Sequence, residues 1–145
     1  MLIDLHCHTK QTKKGDGKAR NVTRELFRQK IEEADIKIVG ITNHNAFFLD
    51  QYKELKEAVK EICQVWPGVE IDIDGDPSYH LIVICNPSNV DAFDTTVQQI
   101  FNNEDINTCK INIHVVCEAF NKLDVIYIAH YHNKKPAMSE KDRDL

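Results

Sequence analysis

Apolar positions along the chain fall into short runs separated by turn residues, and the spacing inside each run alternates between strand-like and helix-like. Leu2 to Leu5 reads as a short buried strand that ends at His6-Cys7-His8. Residues 11–20, with Gly15 and Gly17, read as a loop. From Val22 to Ala34, Leu26, Phe27, Ile31 and Ala34 share one helical face. Lys37 to Thr42 reads as a second strand. Phe48 to Val65 carries Leu49, Tyr52, Leu55, Val59 and Ile62 at intervals of three and four, which predicts a helix stopped by Pro67-Gly68. Val69 to Ile73 and Tyr79 to Cys85 read as strands joined by the turn Asp74-Gly75-Asp76-Pro77, a spacing that permits an antiparallel hairpin. Ser88 or Asn89 is placed to cap a helix running through Phe101, with Val90, Phe93, Val97 and Ile100 on its apolar side. Ile111 to Asn121 reads as a further helix and Val125 to Ala129 as a fifth strand. Strands alternating with helices imply βα units around a largely parallel sheet.

The histidines change this picture from a fold to a site. Five of the seven, His6, His8, His44, His130 and His132, lie at or just past predicted strand ends, and His80 lies on a strand edge. Only His114 falls inside a predicted helix, where it reads as a surface or core residue. In a parallel α/β fold the C-terminal strand ends converge on one face, so residues far apart in sequence meet there. His6 and His8 are spaced i, i+2, which on an extended strand puts both imidazoles on one side, within reach of a single ion. Two exposed polar residues would give the same spacing. The run Asp4-Leu5-His6-Cys7-His8, polar at alternating positions after an apolar start, demands partners for its polar face if that face is buried. Cys7 points the other way on such a strand and reads as core. Taken locally, Glu70 is a strand-end charge and His80 a hydrogen-bonded core histidine.

These segments together resemble the PHP family, named for polymerase and histidinol phosphatase. DLHCHT (residues 4–9) is similar to its first motif. ITNHN (41–45) resembles its second, GVEID (68–72) the segment with its bridging glutamate, YHLIVI (79–84) its next histidine strand, and IAHYH (128–132) its Ala-His motif. The five run in family order over residues 1–132, and 133–145 remain as a polar tail. The resemblance implies an α/β fold, a distorted TIM-type barrel of about seven βα units that is incomplete in this chain. It implies a site of two or three Zn, Mn or Fe ions. His6 and His8 would hold one metal, Glu70 would bridge to a second completed by His80 and His130, and His44 would serve a third. Glu70 and His130 become the catalytic pair, and His132 stands beside them or near the substrate. Two such ions about 4 Å apart activate water and polarise a phosphoryl oxygen. Neutral imidazole suits metals of borderline softness, and a carboxylate between them offsets their charge.

Three positions depart from the pattern. Residues 10–20 hold no histidine for the third metal, and Lys13 or Lys14 stands there. Asn43 replaces the usual aspartate before the histidine. No Asp-x-His follows His132; Asp142 and Asp144 sit in a charged tail. These departures keep two functions open. One is a metal-dependent phosphoesterase acting on a phosphate monoester or on a nucleotide or nucleic-acid phosphodiester. The other is a non-catalytic PHP-like module that binds metal and regulates an attached domain. A shortened barrel also leaves strand edges that favour a missing C-terminal part or a second copy as partner.

Composition narrows the setting. With 145 residues, 42% apolar and 28% charged, the chain fits one globular domain with a real core. No apolar run approaches the ~20 residues that span a bilayer, and Met1 leads into a strand without the basic and apolar regions of a signal peptide. Five cysteines without a Cys-x-x-Cys pair read as reduced thiols, so a cytoplasmic setting is expected. A net charge of −5 argues against a general DNA-coating protein. Residues 10–30 nevertheless carry eight basic groups against two acidic ones, a solvated face or a phosphate-attracting rim. Within it, Lys14 and Arg20 are placed to hold the non-transferred part of a phosphate ester.

Overall fold

The computed structural model describes residues 1–16, 21–129, 138 and 142. Helices cover one face of a mixed sheet. The elements are β1 (Leu2–Cys7), α1 (Arg24–Ala34), β2 (Ile36–Ile41), α2 (Leu49–Val59), β3 (Gln64–Asp74), β4 (Tyr79–Cys85), a 3-10 turn (Pro87–Asn89), α3 (Val90–Ile100), β5 (Ile111–Asn112), α4 (Ile113–Phe120) and β6 (Val125–Ala129). The sheet order is β1-β2-β3-β4-β6, with β5 beside the end of β3. Strands β1, β2 and β3 are parallel to one another. The hairpin expected from the turn at 74–77 forms, with Glu70 opposite Ile82 and Asp72 opposite His80. Strand β6 runs antiparallel to β4 and so parallel to the first three. Among the described residues the sheet is a curled, open half-barrel.

Period-2 alternation decides which residues meet the helices. In β3, Val65, Val69, Ile71 and Ile73 belong to the core, while Gly68, Glu70 and Asp72 take the opposite face. The helices answer with Phe27 and Ile31 of α1, Tyr52, Leu55 and Val59 of α2, Phe93 and Val97 of α3, and Val116 and Phe120 of α4. Phe93 is fully buried, stacked 5.6 Å from Phe120 and edge-on at 5.1 Å to Phe47. A side chain of this kind contributes about 1.5–3 kcal/mol through burial. Cys7 packs against the core, as its strand parity requires, and burial raises its thiol to about 11. No helix among the described residues is long and apolar enough to cross a membrane.

Three element boundaries differ from the sequence-based expectation. The helix expected over residues 48–65 stops at Val59, and β3 begins at Gln64, so Pro67-Gly68 lies inside a strand instead of ending a helix. The reason is a change of partner. Residues 64–67 of β3 pair with β2, and pairing with β4 begins at Gly68. Pro67, with no N–H to give a ladder, is the last residue of the first register. Gly68 is required by close packing, because a Cβ there would lie 2.8 Å from both the Ile84 Cδ1 and the Thr42 Cγ2. Second, Asn86 rather than Ser88 or Asn89 supplies the capping carboxamide, and a 3-10 turn precedes α3. Third, Ile111–Asn112 pairs as β5, and the Asn112 side chain caps α4 by accepting from the His114 N–H at 2.8 Å.

Candidate metal centre

Glu70 sits near the C-terminal end of β3, flanked by β2 and β4. The ends of these strands place a histidine on each side of it. Glu70 is 2% exposed, so it is not the strand-end surface charge that its local sequence reads as. Its Oε2 lies 2.8 Å from His8 Nε2, 3.3 Å from His44 Nε2 and 3.6 Å from His6 Nε2. Its Oε1 lies 2.8 Å from His80 Nδ1. One buried carboxylate therefore meets four imidazoles from three chain segments: the end of β1, the residues after β2, and the start of β4. The antiparallel direction of β4 explains His80: the start of β4 lies beside the end of β3, at the same rim as His6, His8 and His44.

The ITNHN segment works as a double clamp. Asn43 Oδ1 accepts the backbone N–H groups of Thr9 and Lys10 at 2.8 and 2.9 Å, and its Nδ2 donates to Thr9 Oγ1. The loop leaving β1 is thereby fixed to β2. Asn45, in the left-handed region that asparagine tolerates (φ 52°), accepts the Asp72 N–H and donates to Asp72 Oδ2. His44 between them faces Glu70. Thr42 Oγ1, 3.2 Å from His6 Nδ1, fixes the His6 ring. Asn43→Ala would leave two buried N–H donors unpaired, so a loss of about 2–4 kcal/mol in unfolding free energy is expected. Asn43→Asp keeps the acceptor and should cost far less; urea denaturation of both variants measures the difference.

Two carboxylates that the sequence reading left out complete the arrangement. Asp72 Oδ2 takes the Lys13 ammonium at 2.6 Å, and Asp72 Oδ1 lies 3.1 Å from His80 Nε2. Asp16 Oδ2 closes the loop by accepting from the Thr12 and Lys13 N–H groups, while Oδ1 lies 3.5 Å from His44 Nε2. A signal for Asp72 was present: Glu70-x-Asp72 spaces two acids by two on one strand, hence on one face. Asp16 had no such signal, because a loop turn brings it in; for Lys13 the only signal is that it stands, with Lys14 as the alternative, where the family pattern has a histidine.

The other expected residues are placed as follows. Lys14 directs its backbone N–H to Asn107 Oδ1 at 2.7 Å and is exposed; Lys13 is the lysine that reaches the carboxylates. Asp4 is exposed and accepts the His6 N–H, so it does not join the histidine face. Arg20, His130 and His132 lie outside the described residues, as does most of the tail after 132.

Electrostatics follow from this packing. Burial pushes the Glu70 carboxyl up, but the bonds to His8 and His80 and the charges of His44 and His6 outweigh it, so the group stays well below the usual carboxylate range. Asp72 shows the same balance, with His80, Lys13 and Asn45 opposing burial. His44 is lowered, chiefly by burial. His80 is raised to about 9 by Asp72 and Glu70. A folded-state value above the unfolded one stabilises at low pH and is lost as pH rises. The metal-free chain should therefore lose up to about 3 kcal/mol of this contribution between roughly pH 6.5 and 9. Thermal melts across that window, with His80→Gln as the flat control, measure it.

The donor set fits a divalent metal. His6, His8 and Glu70 form one group, and His44, Asp72 and His80 a second, each with ligand atoms within 4.8 Å of one another. Three Nε2 atoms crowd one carboxylate oxygen, more than its two lone pairs can serve as neutral acceptors. Asp16 Oδ1, His44 Nδ1 and Asp72 Oδ1 are buried without a well-aligned hydrogen bond; the two carboxylate oxygens face only imidazole nitrogens, at 3.5 and 3.1 Å, and a nearby cation would satisfy them.

Comparison with known proteins supports the fold. No family model matches the chain. No curated protein matches it either. Among solved structures it is similar to a Bifidobacterium adolescentis protein assigned as a metal-dependent phosphoesterase, with a TM-score of 0.61 at 12% identity over 99% of this chain and 72% of the other. An amidohydrolase from Chromobacterium violaceum, solved with sulfate and no metal, matches 69% of this chain and 33% of its own, at 16% identity and a TM-score of 0.46.

Proposed function

We propose that the chain is a PHP-type metal-dependent phosphoesterase domain. Its centre is Glu70, with His6, His8, His44, His80 and Asp72 as further ligands, and His130 as the remaining one expected from the family pattern. The observation that carries this reading is the Glu70 carboxylate, buried and shared among four imidazoles. A structural salt bridge needs one partner for such a group. Four neutral-capable nitrogens are a ligand set.

A divalent ion held there supplies Lewis acidity toward a phosphoryl oxygen and charge stabilisation as negative charge builds on it. The chain's own residues do the rest. Glu70 and Asp72 would offset the charge of ions held by the two groups. Thr42 orients the His6 ring, and the Asn43 and Asn45 clamps keep the β1 loop and the β3 end in register around the ions. Asp72, lying 3.1 Å from His80 Nε2, orients that ring toward Glu70 and favours the ligand-competent direction of Nδ1. An adjoining cavity of about 420 Å³, lined by Lys13, Asp72, Ser78, His80, Thr108 and Lys110, offers basic and hydroxyl groups to a phosphate ester. A substrate with a nucleotide or nucleic-acid phosphodiester would be drawn by the same charges.

The test is turnover of p-nitrophenyl phosphate and bis-p-nitrophenyl phosphate by the metal-free chain before and after addition of Zn, Mn or Fe. Metal-dependent release of nitrophenol from either ester supports the reading. Metal binding without turnover of either would favour the non-catalytic module, and no metal binding would remove both.

A further inference from the structure

We propose that the Lys13 ammonium acts as an internal competitor for the second ion position, the group His44, Asp72 and His80, so that the chain fills its two positions with unequal affinity. The inference rests on the metal-centre reading above and extends it to the order of occupancy.

Lys13 is anchored for this role. Its backbone N–H is held by Asp16 Oδ2 at 3.0 Å, which fixes the base of the side chain at the rim. Its Nζ then reaches Asp72 Oδ2 at 2.6 Å, with the side chain only 20% exposed. Asn45 donates to the same oxygen, so Oδ2 is engaged twice, and Oδ1, which faces only His80 Nε2 at 3.1 Å, is the Asp72 atom nearer to an ion held with His44 and His80. An ion on Oδ1 would share one carboxylate with the ammonium, two cations a few ångströms apart on a largely buried side chain. Among the described residues, the carboxylate of the group His6, His8 and Glu70 is paired with imidazoles, at 2.8 Å to His8 and to His80.

Charge balance gives the same order. Among the described residues the centre holds three carboxylates, Asp16, Glu70 and Asp72. With the imidazoles neutral, one divalent ion plus the Lys13 ammonium match those three charges. A second divalent ion leaves the centre two charges positive unless the ammonium withdraws. Withdrawal has somewhere to go, because Lys13 and Asp72 both line the cavity of about 420 Å³ that opens beside His80. Lys13 thus sets the second position to fill only at higher metal concentration, or when an anionic substrate in that cavity takes the ammonium over.

The experiment is calorimetric titration of the metal-free full chain with Mn or Zn, comparing wild type with Lys13→Met and Lys13→Gln, each first checked for a cooperative melt. Wild type should bind one equivalent tightly and a second at least about tenfold more weakly. In either variant the second should tighten by about tenfold or more, with the first little changed. A parallel readout on wild type is the rate at which an amine-reactive reagent labels Lys13, which should rise as the second equivalent binds. Two equal affinities in wild type, an unchanged second affinity in both variants, or Lys13 labelling that ignores the second equivalent would overturn the proposal while leaving the metal centre standing. Absence of any binding in wild type and variants would overturn both.

Discussion

Glu70→Gln is expected to remove the tight metal equivalent and to lower metal-dependent phosphate-ester hydrolysis by at least about 100-fold. Groups that merely support a ligand cost about 10–100-fold when lost, and Glu70 is placed to touch the ions themselves. Glutamine keeps the shape of the side chain and removes its charge. The first group is then reduced to His6 and His8, two neutral nitrogens. The second keeps Asp72 as its own carboxylate and should be weakened less. From the sequence, Glu70 is the one carboxylate among the proposed ligands; Asp72 is the addition. Metal content after exhaustive dialysis measures the effect. Equal content in wild type and Glu70→Gln would mean that the carboxylate is not a ligand.

Chelation should have the second largest effect. The centre concentrates three carboxylates, two of them with a buried oxygen that lacks a well-aligned hydrogen bond. An ion that binds the folded chain and not the unfolded one adds about 4 kcal/mol at a free concentration 1,000 times its dissociation constant. For a chain of this length that raises the melting temperature by roughly 8–16 °C. Stripping with a chelator should reverse the rise and re-addition restore it. A melting temperature indifferent to metal would count against the whole centre.

Much of the fold was legible because the signals were local. The positions of β1 and β2, the 74–77 hairpin and α1 follow from apolar runs, turn residues and the helical face of Phe27 and Ile31, although β1, expected to be buried, leaves Leu2 and Ile3 exposed. The overlong second helix was not, since its apolar spacing runs on through Ile62. What ends it is the tertiary pairing of 64–67 with β2, which periodicity cannot express. The site divides in the same way. His6, His8 and His44 were visible from strand-end placement, and Glu70 and His80 from ordered motifs. Asn43, in the sequence only a replacement for the usual aspartate, holds two backbone N–H groups of the β1 loop. Asn45 and Asp16 act through backbone geometry that no spacing announces, and Lys13 enters by the reach of its side chain.

Anomalous X-ray scattering at the metal edge, from crystals grown with Zn or Mn, tests the central claim most directly. The account predicts a peak at ligand distance, about 2.0–2.2 Å, from Glu70 Oε2 and the Nε2 atoms of His6 and His8. At higher metal concentration a weaker second peak should appear beside His44, Asp72 and His80. A fully loaded crystal whose anomalous density lies away from Glu70, or that shows none, would contradict it.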